Sequence, residues 1–150
     1  MPKPTVLIVD DEPDLVELVS LTLERMDLAT ASAGTLAAAR HQLDDRAFDL
    51  CLTDMRLPDG DGLDLVEWIA EQHPRLPVAV ITAHGNVSAA VRALKAGAFD
   101  FVSKPLDIAV LRRLVSSAIR LNEHETNATA RALYDTLADR PGFIQYRKVF

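Results

Sequence analysis

The sequence predicts an α/β domain built on a doubly wound, five-stranded parallel sheet with helices on both faces. Two observations carry that prediction. Apolar runs of strand length alternate five times with segments whose apolar residues recur at helical spacing, which is the pattern of successive strand–helix units. The runs are also mostly apolar instead of alternating with polar residues, as strands covered on both faces should be. The five units share no sequence similarity, so a solenoid is not expected.

The expected strands cover residues 6–10, 28–32, 48–54, 78–82 and 99–103. After the first, Leu15, Leu18, Val19, Leu23 and Met26 form one apolar stripe on a helix that Pro13 can open at its first turn. Leu36, Ala39 and Leu43 mark a thinner second stripe. The turn Asp59-Gly60-Asp61-Gly62 starts a third helix carrying Leu63, Val66, Ile69 and Ala70. Val87, Ala90, Val91 and Leu94 mark a fourth, which stops at Gly97, and Leu111, Leu114, Val115 and Ala118 mark a fifth. Right-handed crossovers then place helices on both faces, in the flavodoxin-like strand order 2-1-3-4-5. The functional crevice of such a sheet lies at the carboxyl ends of its strands.

The domain is read as residues 1–121. Residues 122–150 form a tail or linker in which Ala130, Leu133, Tyr134 and Leu137 can line a further helical face before Arg140-Pro141-Gly142 breaks it. A chain of 150 residues with 49% hydrophobic content suits one compact core. Its apolar runs are too short to cross a bilayer, and no signal-type stretch follows Met1, so a cytoplasmic protein without membrane contact is expected. The single cysteine, Cys51, lies in an apolar run and reads as a small buried hydrophobe. A net charge of −6, with no concentration of Lys and Arg, argues against direct nucleic-acid binding.

The acids are the informative residues. Asp10 and Asp11 end the first strand and Asp54 ends the third; these strands are neighbours at the switch point, so three carboxylates should converge. Either of the first two alone reads equally well as a cap on the first helix. A cap does not explain Asp54, and together the three favour an oxygen-coordinated cation such as Mg2+. Thr82 ends the fourth strand and Lys104 follows the fifth, supplying a hydroxyl donor and an ammonium suited to a phosphoryl group.

These residues stand in the stretches Val9-Asp10-Asp11-Glu12-Pro13, Leu52-Thr53-Asp54-Met55-Arg56-Leu57-Pro58-Asp59-Gly60-Asp61-Gly62, Ile81-Thr82-Ala83-His84, Ala96-Gly97-Ala98 and Ser103-Lys104-Pro105. Over residues 6–121 the sequence resembles the receiver domains of two-component response regulators, with wording most like the NtrC type that governs transcriptional activators. The resemblance implies that Asp54 accepts a phosphoryl group from a histidine kinase. It also implies that Asp11, Asp54 and the main-chain carbonyl of Arg56 ligate Mg2+, with Asp10 acting through its water shell. Lys104 would hold a phosphoryl oxygen next to a cis bond to Pro105.

The resemblance further implies that Thr82 swings toward the phosphoryl group and that Phe101 fills the space behind it. An ordinary core aromatic is the plain alternative for Phe101. The face of the fourth helix, fifth strand and fifth helix would then change, favouring a homodimer or an output domain absent from this chain. His84 and Arg56 would border the pocket and tune water access. The chain is thus expected to promote its own phosphorylation and dephosphorylation as a switch, not to turn over substrates.

Three rival readings fit the sequence less well. Haloacid-dehalogenase-like phosphatases place the nucleophile on the first strand with a second Asp two residues later, whereas Asp10 is followed directly by Asp11. A flavin-binding module lacks its phosphate loop here. A phosphate-independent interaction domain is disfavoured by the complete set of acids, Thr82 and Lys104. No GxxxxGK[ST] motif is present, so the ATPase domain of an NtrC-type activator is not in this chain.

Overall fold

The computed structural model describes residues 3–124. In chain order the elements are β1 (Thr5–Val9), α1 (Pro13–Glu24), β2 (Ala29–Ala33), α2 (Leu36–Asp45), β3 (Leu50–Thr53), β4 (Arg56–Leu57), β5 (Gly60–Asp61), α3 (Gly62–Gln72), β6 (Val78–Thr82), α4 (Val87–Ala96), β7 (Asp100–Ser103) and α5 (Ile108–His124). Five strands form one sheet in the order β2-β1-β3-β6-β7, with every pairing parallel. This is the expected order; β4 and β5 form a separate antiparallel ribbon, two residues per strand and too short to leave an apolar run in the sequence.

Alternate residues of β1, β3, β6 and β7 feed two cores, because successive side chains of a strand point to opposite faces. Leu7, Val9, Cys51, Val78, Val80 and Phe101 pack under α2, α3 and α4. Val6, Ile8, Leu50, Leu52, Ala79, Ile81 and Val102 pack under α1 and α5. Cys51 is fully buried and its thiol is pushed up to about 12 by loss of solvation.

Local chemistry fixes the helix starts. Thr35, Asp61 and Asn86 each cap a helix by accepting a main-chain N–H, from Ala38, Leu63 and Ala89 respectively. Gly97 ends α4 at φ +122°, a conformation that side chains rarely adopt.

The helical stripes are right in period but not always in rotation. On α1, Val19 and Leu23 are buried, whereas Leu18 is 43% exposed. Only α5 shares that face of the sheet, so the outer flank of α1 stays open. On α4 the buried residues are Ala89, Ala90 and Ala93, and Val87 is 71% exposed. Small side chains let the helix backbone approach the sheet, and the larger Val91 and Leu94 are left half-buried at the sides. The second strand lies one residue later than expected.

Helix α5 runs three residues past the expected domain boundary. The expected face of Ala130, Leu133, Tyr134 and Leu137 lies outside the described residues. No helix among the described residues is long and apolar enough to cross a membrane.

Candidate functional site

The sheet register brings the polar residues to one edge. Val9 pairs with Thr53, so Asp10 and Asp54 each stand one residue beyond the ends of adjacent strands. Their amides are anchored, Asp10 N–H to the Ala33 carbonyl at 3.0 Å and Asp54 N–H to the Val9 carbonyl at 2.9 Å. Thr82 pairs with Ser103, and the Lys104 N–H donates to the Thr82 carbonyl at 2.8 Å. The Lys104–Pro105 peptide bond is cis, as the resemblance implied.

Lys104 closes the site. Its ammonium donates to Glu12 Oε1 at 2.6 Å, Asp10 Oδ2 at 3.0 Å and Asp54 Oδ2 at 3.1 Å. Burial alone would favour the neutral amine, but the carboxylates of Glu12, Asp10 and Asp54 outweigh it and hold the ammonium above the ordinary lysine range. Burial raises the Asp10 carboxyl above its ordinary value, and the nearby Asp54 charge adds to this. The Glu12 N–H and Lys104 oppose the rise without cancelling it. The other oxygen of each aspartate is fixed by main-chain donors. Asp10 Oδ1 accepts from Glu12 N–H at 2.9 Å, and Asp54 Oδ1 from Met55 N–H at 2.7 Å.

The oxygen donors fit a hard divalent cation. Oxygens of Asp10, Glu12 and Asp54 lie within 4.8 Å of one another. Asp11, expected among the ligands, is exposed and outside this cluster, whereas its neighbour Glu12 belongs to it. The signal for Glu12 was available in Asp11-Glu12-Pro13. Glu12 occupies the N-cap of α1 without capping it, and glutamate is a poor choice there. Arg56 has its side chain exposed and its amide 3.4 Å from Asp54 Oδ1, so its main chain borders the acid.

Thr82 is fully buried beside the cluster, and its hydroxyl oxygen accepts from the His84 N–H at 3.1 Å. Phe101 is 1% exposed within the core beneath α2, α3 and α4. Gly85 leaves room for this arrangement, since a Cβ there would overlap Ser103 Oγ and stand 3.2 Å from the Phe101 ring. His84 is exposed on the loop above.

The loop after Asp54 is held from two sides. The Gly62 N–H donates to the Met55 carbonyl at 2.6 Å. Asp59 reaches across to α2 and accepts from the Leu36 N–H at 2.8 Å and the Ala37 N–H at 3.1 Å. With Thr35 capping the next turn position, three of the free amides of α2 are satisfied. In the sequence Asp59 reads only as a turn residue, because its partners lie 23 and 22 positions away.

The profile of the response regulator receiver domain family matches residues 6–116. The response regulator protein PilR of Pseudomonas aeruginosa is 57% identical over 125 residues, covering 83% of this chain and 28% of PilR. The chain therefore spans little more than a quarter of that relative. Among solved structures, the receiver domain of NtrX from Brucella abortus is 38% identical with a TM-score of 0.72, covering 77% of this chain and 98% of that one. The beryllofluoride-activated NtrC4 receiver domain dimer is 34% identical with a TM-score of 0.75, covering 77% and 96%.

Proposed function

Because the chain belongs to the response regulator receiver domain family, we propose that it is a phosphorylation-dependent signalling switch in which Asp54 accepts a phosphoryl group from a histidine kinase. The observation that carries the reading is the Lys104 ammonium 3.1 Å from Asp54 Oδ2, at the mouth of a strand-end acid cluster.

Asp54 attacks with one carboxylate oxygen while its main-chain bonds fix the orientation of the group. The new P–O bond forms as the donor's P–N bond to histidine breaks, and the leaving imidazole keeps the electron pair. Such transfer depends on positioning and charge stabilisation, so no general base beside Asp54 is required. Lys104 exchanges its Asp54 contact for a phosphoryl oxygen. Asp54 and the Arg56 carbonyl would hold Mg2+ together with Asp11, which would have to turn in from its exposed position, with Asp10 acting through the water shell, and the bound ion would offset charge on the transferring group. His84 and Arg56 at the rim set water access and hence the lifetime of the acyl phosphate.

The added group brings roughly −1.5 to −2 charges. Thr82 leaves the His84 amide to donate its hydroxyl proton to the phosphoryl oxygens, and Phe101 packs into the space behind it. The readout face is α4, β7 and α5, which would form a homodimer or engage an output domain serving transcription regulation. The beryllofluoride-activated NtrC4 receiver domain is a dimer, and the related NtrC of Proteus hauseri is a DNA-binding transcriptional regulator, which supports that assignment.

Intact mass after incubation with acetyl phosphate and Mg2+ tests the reading. One phosphoryl adduct that requires both Asp54 and the metal is expected. No adduct on the folded protein, even from a phosphorylated histidine kinase, would replace the switch with a phosphate-independent interaction domain.

A further inference from the structure

An ammonium has three N–H donors, and those of Lys104 face three carboxylates. The shortest contact, 2.6 Å, is to Glu12, whose side chain is 60% exposed, while those of Asp10 and Asp54 are 4% and 8% exposed. The two aspartates are also tied to main-chain amides, whereas among the described residues the Glu12 carboxylate bonds to Lys104 alone. Glu12 stands at the N-cap of α1, makes no capping bond, and turns instead toward a lysine 92 positions away.

These observations assign Glu12 a role beyond helix entry. We propose that Glu12 is a positioning residue that occupies one Lys104 donor in the resting site and must give it up when a phosphoryl group arrives. The proposal rests on the switch reading above. A phosphoryl group offers several oxygens, but the Asp54 contact frees only one donor. Full engagement of Lys104 therefore requires a second partner to leave. Glu12 is the most solvated of the three and the only one without another anchor, so it leaves most readily. Its hold on Lys104 sets the threshold for phosphorylation.

Initial rates of adduct formation from acetyl phosphate at saturating Mg2+ test the release. In that step the acyl-oxygen-to-phosphorus bond breaks, acetate departs with the electron pair, and an Asp54 oxygen bonds phosphorus. Glu12→Gln removes the charge; Glu12→Asp keeps it on a side chain one methylene shorter. Both are expected to react about threefold faster than the wild type, the scale of a partly exposed ion pair. Acylation of Lys104 by a soluble N-hydroxysuccinimide ester in the metal-free protein, normalised to Lys3 and Lys95, should rise several-fold in both variants.

Glu12→Asp matching the wild type while Glu12→Gln alone is faster would overturn the contact in favour of bulk charge. Unchanged rates and unchanged labelling would overturn it outright. A wild type that forms no adduct overturns the switch reading and the release step together. A wild-type adduct with unaltered variants overturns the release step alone.

Discussion

The Cα of Gly62 lies against the main-chain carbonyl of Asp54 so closely that a Cβ at this position would overlap the oxygen. The clash is with backbone that also carries the candidate phosphoryl acceptor, so no side-chain rotation relieves it. Gly62→Ala is expected to lower stability by about 1 to 3 kcal/mol and to depress phosphorylation by more than its unfolded fraction accounts for. Gly34 supplies the comparison, because nothing lies within 4 Å of a Cβ built there. Gly34→Ala should leave both urea unfolding and adduct formation close to wild type.

Lys104 is the only cation hydrogen-bonded to the acid cluster among the described residues, and its side chain is 11% exposed. Lys104→Met leaves three carboxylates facing one another, and should cost about 2 to 4 kcal/mol in metal-free buffer. Added Mg2+ should raise the melting temperature of the variant more than that of the wild type. Equal metal-induced shifts would mean that the ion does not enter this cluster.

Asp59 binds its acid proton less tightly than usual, chiefly because of the Leu36 N–H bond and then the Ala37 N–H bond. A folded value below the unfolded one gives stability that is present at neutral pH and is lost as pH falls through the folded value. The melting temperature of the wild type should therefore exceed that of Asp59→Ala at pH 7. The gap should close below about pH 4, the ordinary aspartate range.

The Cys51 thiol, pushed up to about 12 by burial, is expected to resist iodoacetamide in the native protein at pH 8 and to react on unfolding. The native state holds this proton more tightly than the unfolded chain, whose thiol titrates near about 8.5. Stability should therefore decline as pH rises above that value, and Cys51→Ala should remove this part of the decline.

Val87 is 71% exposed in the first turn of α4, on the proposed readout face. Val87→Asp should change stability by less than about 0.5 kcal/mol. It should still weaken any dimer that forms with beryllofluoride, measured by sedimentation.

The sequence made the sheet order and the convergence of Asp10, Asp54 and Lys104 legible because both follow from strand ends. A residue that closes a parallel strand is placed by topology, whatever its side chain does next. Rotation about a helix axis was less legible. Val87 and Leu18 fit the helical period, but period alone does not say which arc meets the sheet, and on α4 the alanines won by allowing closer approach. Glu12, Asp59 and Gly62 were underread for a different reason. Each acts on a partner that only the folded chain brings near, and each occupies a place where a cap or turn residue is already expected.

The link from Asp59 to α2 also makes a built-in reporter. The amides of Leu36 and Ala37 are bonded to a carboxylate in the loop that follows Asp54, so their exchange with deuterium depends on where that loop stands. Two backbone positions on a helix outside the acid cluster thus register movement at the proposed phosphoryl acceptor without a label placed in the site itself.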